Sequence, residues 1–417
     1  MLKIELYGPQ FSLFGSGEFS DVLKLSSFPN LKALLSKAPT KKEAALSYVL
    51  TLLNKGMDKG LFGFAYFQQL FFDYVTTASG KEIMDIAPSI VDNSIHMLST
   101  KAGARVVAEA AAYGTPKCRK RILKSLKGYT RSSLLHPDAY VAIIRVLSVM
   151  DDTVAIQKLV FAELQQNPDE KIKGDIKDKD KDSSPILDLV LSETGSKMFL
   201  YLLSNNDEIK KRYFDPSELD ILRDNPTVEG TPTSKKTSNT RRLELLQFMK
   251  NLLVDVCQNH TELLVYSRIG CKVLREVLAT FPSNELVDAI AHCCMEGRAM
   301  DNDGQKVLSI FEHPVSHLLI KNILLAEKDI SCDNKEEQIK QLSTVLYTKY
   351  KGQLMSVIAS SNRGFFVLAA LVVSPSVGSK VREELKLEIK STKLISEGGK
   401  TAGYNALLKV LDSKGAR

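Results

Sequence analysis

One short phrase constrains the fold of this chain more than any other feature: a small residue, then a basic or aromatic one, then two apolar ones. It stands clearly in Gly103-Ala104-Arg105-Val106-Val107 and Gly270-Cys271-Lys272-Val273-Leu274. Weaker copies are Ala65-Tyr66-Phe67, Ala139-Tyr140-Val141, Gly195-Ser196-Lys197-Met198-Phe199, Ser316-His317-Leu318-Leu319 and Gly364-Phe365-Phe366-Val367. Successive copies are 39 and 35 residues apart in the first half, then 57, 75, 46 and 48 apart. Around them apolar residues fall at helical spacing, as in Ile122, Leu123 and Leu126 or Leu318, Leu319, Ile323 and Leu324, with Pro and Gly confined mostly to breaks. Strand alternation is scarce, so the expected fold is all-α with no sheet. A helical unit of 35 to 40 residues cannot bury its apolar face alone, so the repeat predicts a solenoid of stacked two- or three-helix units.

Two stretches break the period. Residues 166–185 alternate Asp and Lys with too few apolar groups to offset ordering entropy, and are expected to form a charged mobile insertion. Residues 225–240, rich in Thr, Ser, Pro and Gly, are expected to form a loop. The organisation predicted is therefore regular helical repeats over 1–165, the insertion at 166–185, and irregular repeats over 186–417.

Composition excludes several function classes. Hydrophobic residues are 44% and charged residues 25%, which supplies a core and argues against wholesale disorder. The longest apolar run, Phe365 to Val373, is far short of the roughly 20 residues that cross a bilayer, so no membrane span is expected. The amino terminus carries no secretory pattern, which leads to the expectation of an intracellular protein. Cys118, Cys257, Cys271, Cys293, Cys294 and Cys332 form no C-x-x-C pair and read as reduced core residues.

No catalytic or metal constellation emerges. His313 and His317 have a zinc-helix spacing but flank Pro-Val-Ser with no Glu after the first His, and His292-Cys293-Cys294 puts adjacent residues on different helix faces. Gly230 to Thr237 lacks the second Gly of a phosphate loop. The chain is expected to be non-catalytic, with no cofactor, metal or small-molecule substrate.

Charge is more informative. The whole chain is only +7, yet residues 100–131 hold nine basic groups and a single acid, Glu109. Lys117, Arg119, Lys120, Arg121, Lys124, Lys127 and Arg131 follow one another with no acid between them, and Lys117, Arg121 and Lys124 share one helical face. Such a run reads as a phosphate-binding stripe over a buried seam of Ile122, Leu123 and Leu126. Lys235, Lys236, Arg241 and Arg242 form a smaller second patch.

The chain also resembles a known family. Thr100-Lys101-Ala102-Gly103-Ala104-Arg105-Val106 followed by Gly114-Thr115-Pro116-Lys117 is similar to repeats of the Puf-A (Penguin, pumilio-like nucleolar) proteins. The likeness continues through Met150-Asp151-Asp152-Thr153, Ser234-Lys235-Lys236 with Arg241-Arg242, His313-Pro314-Val315-Ser316-His317-Leu318 and Ser361-Asn362-Arg363-Gly364. It covers nearly the whole chain, and Lys3 to Phe11 resembles a phrase lying well inside family members, so the family's amino-terminal repeats are expected to be missing.

The resemblance implies a right-handed α-solenoid of three-helix Puf-type (armadillo-like) repeats ending in a Penguin-like region. It implies RNA or DNA binding with little sequence preference, in the nucleus and nucleolus, with roles in large-subunit ribosome biogenesis, pre-rRNA processing and translation regulation. RNA (pre-rRNA or mRNA), DNA and pre-ribosomal proteins are the implied partners.

Sequence-reading Puf repeats present two polar edge-readers and one stacking residue per unit. Here the corresponding triplets are Ala65, Tyr66, Gln69; Ala104, Arg105, Ala108; Ala139, Tyr140, Ile143; Ser196, Lys197, Leu200; and Cys271, Lys272, Arg275. Alanine and isoleucine cannot hydrogen-bond a base, whereas Tyr66, Arg105, Tyr140, Lys197 and Lys272 suit loose stacking or phosphate contact. The scarcity of base-readers keeps a second class open, a helical-repeat protein-interaction scaffold whose basic stripe meets an acidic partner. A sequence-specific pumilio-type regulator is a third reading.

Overall fold

The computed structural model describes residues 31–37, 39–166, 184–300, 307–327, 339–391 and 401–413. These are overwhelmingly helical, and the recurring phrase marks one helix in each unit: Ala65–Val75, Lys101–Tyr113, Tyr140–Val149, Gly195–Leu203, Gly270–Thr280, Ser316–Ala326 and Asn362–Val372. Consecutive phrase helices pack side by side, Ala65 on Lys101 and Lys101 on Tyr140 in the first half, and Gly270 on Ser316 and Ser316 on Asn362 in the second. The fold is an all-α array of Puf-like repeats.

The small residue of the phrase has a packing cause. A Cβ on Gly103 would lie 1.9 Å from Met97 O, and one on Gly364 would lie 1.6 Å from Ile358 O. The preceding turn thus approaches the helix backbone too closely for any side chain. A different close approach marks a further helix that sequence comparison passed over: Gly403 sits with its absent Cβ 2.1 Å from Asn362 O, at the start of the neighbouring helix, and its own helix, Ala402–Asp412, stacks on Asn362–Val372. Threonines supply the starts. Thr100 Oγ1 accepts from Gly103 N at 3.1 Å, and Thr115 Oγ1 accepts from Cys118 N at 3.3 Å with Pro116 at the first helical position.

The chain forms two compact units, one of residues 1–166 with 205–248, the other of 167–204 with 249–417. The division differs from the expected boundary near 166, because residues 205–248 pack with the first repeats. Residues 167–183 of the expected insertion lie outside the described residues, as does Cys332.

Two short antiparallel ribbons correct the expectation of no sheet. Thr227–Val228 pairs with Thr231–Pro232 inside the expected 225–240 loop, and Arg298–Met300 pairs with Val307–Ser309. The first ribbon turns through Glu229 and Gly230, both at positive φ (50° and 81°), a conformation that Gly adopts freely and Glu rarely. Lys81 Nζ holds Glu229 Oε1 at 2.8 Å.

His313, His317 and four of the cysteines take structural places. His313 Nδ1 lies 2.8 Å from Ser316 Oγ, His317 Nδ1 lies 2.8 Å from His313 O, and both rings are buried. Cys118, Cys257, Cys293 and Cys294 are buried, and burial pushes the Cys257 thiol to about 12 and Cys293 to about 11. These are unreactive core thiols.

Candidate nucleic-acid interface

The basic run forms the Pro116–Ser125 helix and the turn after it. Cys118, Arg119, Ile122, Leu123 and Leu126 face inward, so Lys117, Lys120, Arg121 and Lys124 are left on the outer face. Lys117, Lys124 and Lys127 are exposed and make no ion pair with any described residue. Lys120 lies 3.7 Å from Asp152, and Arg121 is held by Asp92 through both Nε and Nη2. The run is free of acids in sequence, yet neighbouring turns bring carboxylates to two of its members. Arg131 is half-buried and donates to Leu164 O at 3.1 Å.

Arg119 corrects the expectation of a continuous stripe. It is wholly buried, its Nε donating to Ala111 O at 2.8 Å, its Nη2 to Ala112 O at 3.1 Å and its Nη1 to Thr233 O at 2.9 Å. Burial pushes its pKa down to about 10, so the group stays charged at neutral pH. Two of the carbonyls it meets, Ala111 O and Ala112 O, lie at the end of the Lys101–Tyr113 helix, where a cation is favoured by the helix dipole.

Arg241 repeats the device one helix on. It too is wholly buried, donating from Nε to Ser148 O at 2.8 Å and pairing with Asp151 at 2.9 Å, beside the end of the Tyr140–Val149 helix. Thr233 Oγ1 donates to Ala112 O at 2.8 Å and Ser234 Oγ to Val149 O at 2.6 Å. Residues 215–241 thus form a strap that satisfies the carbonyl ends of two phrase helices.

The strap also occupies the stacking positions. Its Pro216–Ile221 helix opens on a capping box of Asp215 and Glu218. Glu218 accepts from the Tyr140 hydroxyl, and Tyr140 is buried rather than open to a base. Arg105 Nη2 donates to Ser217 O at 2.8 Å and Nη1 lies 3.8 Å from Asp220, with Phe72 at its other side. Arg145, fully buried, donates to Arg223 O at 2.6 Å. Tyr140 and Arg105 are therefore side chains of an internal interface.

The second patch disperses as well. Asp151 accepts from the backbone N–H groups of Lys235 and Lys236, at 2.7 and 3.2 Å. Burial alone would raise the Asp151 carboxyl, but these donors and the Arg241 guanidinium hold it below the usual range. Lys236 Nζ pairs with Glu244 at 2.6 Å and Arg242 donates to Asn239, leaving the exposed Lys235 side chain. Tyr66 is 44% exposed on the Ala65–Val75 helix. Lys197 and Lys272, half-buried, stand on helices of the second unit that pack together.

Comparison with known proteins agrees with this architecture. The CPL (NUC119) domain matches residues 191–337. "Pumilio homolog 3" of Danio rerio is 27% identical over 399 residues, covering 94% of this chain and 57% of that protein. The structure of human Puf-A superposes with a TM-score of 0.76 at 25% identity over 98% of this chain and 72% of that one. The chain resembles the Puf-A/Penguin proteins in sequence and in fold. A second human Puf-A structure, in complex with DNA, matches with a TM-score of 0.74 at 24% identity, over 99% of this chain and 72% of that one.

The chain spans a little over half the length of that curated relative. The strap lies inside its CPL match, so the Penguin-like part contributes residues 205–248 to the first unit and the remainder to the second. Sequence reasoning missed the strap because its partners are about 80 to 120 residues away, as in Ser234 to Val149 and Thr233 to Ala112. It also passed over Tyr129, 56% exposed at the end of the basic run, where an aromatic next to Lys127-Gly128 was the available signal.

Proposed function

We propose that this protein is a non-catalytic nucleic-acid binder that grips RNA, and secondarily DNA, by its phosphates, in nucleolar assembly of the large ribosomal subunit and processing of its precursor RNA. The observation that carries the reading is the outer face of the Pro116–Ser125 helix, where Lys117 and Lys124, with Lys127 just beyond, point to solvent without a carboxylate partner among the described residues. Unneutralised lysines on a helical-repeat surface bind phosphate without reading sequence. Closure of the positions at Arg105 and Tyr140 supports the same conclusion, since side chains committed to Ser217 and Glu218 are poorly placed to read bases. That a relative was crystallised with DNA is in keeping with it.

Precursor ribosomal RNA, pre-ribosomal proteins and the nucleolus belong to this proposal through the family relationship, as does translation regulation. Crosslinking the protein to RNA in cells and sequencing what is bound tests it. Enrichment of precursor ribosomal RNA without a common short motif is expected. Recovery of messenger RNAs sharing one motif would favour a sequence-specific regulator, and no RNA at all would favour a protein-interaction scaffold.

A further inference from the structure

We infer that Tyr129 is a preformed stacking platform for an unpaired base, and that it gives the basic helix a preference for single-stranded over duplex RNA. The inference rests on the nucleic-acid reading above and deepens it.

Three observations carry it. Tyr129 is 56% exposed, whereas Phe67, Phe71 and Tyr74 of the same unit are buried, so its ring contributes little to the core. Its turn is held in place: Gly128 adopts φ +86°, which a side chain would strain, and Tyr129 N donates to Leu126 O at 2.9 Å. A single carboxylate, Glu163, fastens the turn from below, accepting from Gly128 N at 2.8 Å and from Thr130 N and Thr130 Oγ1, each at 2.9 Å. The backbone on both sides of the ring is thereby fixed, and Glu163 is directed at the turn rather than at the lysines. Lys127 and Lys124, both exposed and unpaired among the described residues, precede the ring in the same turn and helix.

An exposed aromatic on a fastened turn, close in sequence to unneutralised lysines, has the two parts that single-strand binding requires, a plane for a base and charge for the flanking phosphates. A lone exposed tyrosine would need no explanation. What distinguishes this one is the fastening of its turn and the lysines next to it. Bases within a duplex already stack on each other, so only an unpaired base can use the ring.

The chain contains no tryptophan, so Tyr129→Trp places a single reporter at the site. The probes are a mixed-sequence single-stranded RNA, the same strand in a duplex, and inorganic polyphosphate, with binding followed separately by anisotropy of labelled RNA. Indole emission is expected to be quenched by the single strand and unchanged by duplex or polyphosphate. Tyr129→Ala is expected to weaken single-strand binding about tenfold while leaving duplex binding intact, and Tyr129→Phe to retain affinity. Single-strand binding with unchanged emission, or an alanine variant that binds as well as the parent, overturns the platform and leaves the phosphate-gripping reading standing. Absence of binding to either RNA by the unmodified protein overturns both.

Discussion

Arg119 donates from Nη1 to the carbonyl of Thr233 at 2.9 Å, 114 residues away in sequence. The residue at the centre of the densest basic run is therefore spent on the protein's own backbone, and the phosphate-facing charge lies with its neighbours. Replacing it separates stability from binding. Arg119→Ala leaves the buried Ala111 carbonyl at the end of the Lys101–Tyr113 helix without its donor, removes one of the two donors to Ala112 O, and should cost about 3 kcal/mol. Lys117→Ala should stay within about 0.5 kcal/mol of the parent. Thermal melts should show a large drop for Arg119→Ala and none for Lys117→Ala, with the order reversed in RNA affinity for whatever remains folded.

The bond between Tyr140 and Glu218 closes a stacking position. Tyr140→Phe removes one partner of a buried hydrogen bond and should cost about 1 kcal/mol, visible as a lower melting temperature. RNA affinity should be unchanged. A gain in affinity would mean that the strap covers a working surface rather than a permanently closed one.

How much of this was legible in the sequence depends on how far apart the interacting residues are. The phrase predicted the helices because its small residue, as at Gly103 and Gly364, answers a contact with the turn only a few residues before it. Caps at Thr100 and Thr115 are equally local. Arg119 and Lys117 look alike in a charge count, however, and their opposite fates follow from which face of one turn meets Ala111, Ala112 and Thr233. Tyr140 looked like a stacker because helical spacing places it correctly, while the acceptor that claims it, Glu218, is 78 residues away.

Gly103 gives a direct test of the close approach. Gly103→Ala would bring a methyl group 1.9 Å from Met97 O and 2.6 Å from Gln68 Oε1, so the turn must shift, at about 1–3 kcal/mol. Gly63→Ala meets nothing within 4 Å and serves as the control. Denaturant midpoints of the two variants should differ clearly.

The second unit should weaken in mild acid. Burial, aided by Arg363, holds both His313 and His317 below the ordinary histidine value of 6.5, and Lys321 adds to the effect at His317. Below that value the unfolded chain takes up protons that the folded unit resists, so stability present at neutral pH is lost as pH falls through about 6.5. Melting at about pH 7.5 and pH 5.5 should show the loss, and a His313→Asn/His317→Gln variant should show a flatter pH dependence. An unchanged melt for the parent would mean the rings charge freely in place.

The central claim, that Lys117, Lys124 and Lys127 grip phosphates, is tested most directly by one salt series. Anisotropy of a single-stranded RNA would be followed between roughly 50 and 200 mM salt for the parent and for a Lys117→Glu/Lys124→Glu/Lys127→Glu variant of matched melting temperature. The account predicts weaker binding by the variant and a log–log salt slope shallower by about 2, as loss of three single-strand phosphate contacts requires. Parent-like affinity with an unchanged slope would contradict it.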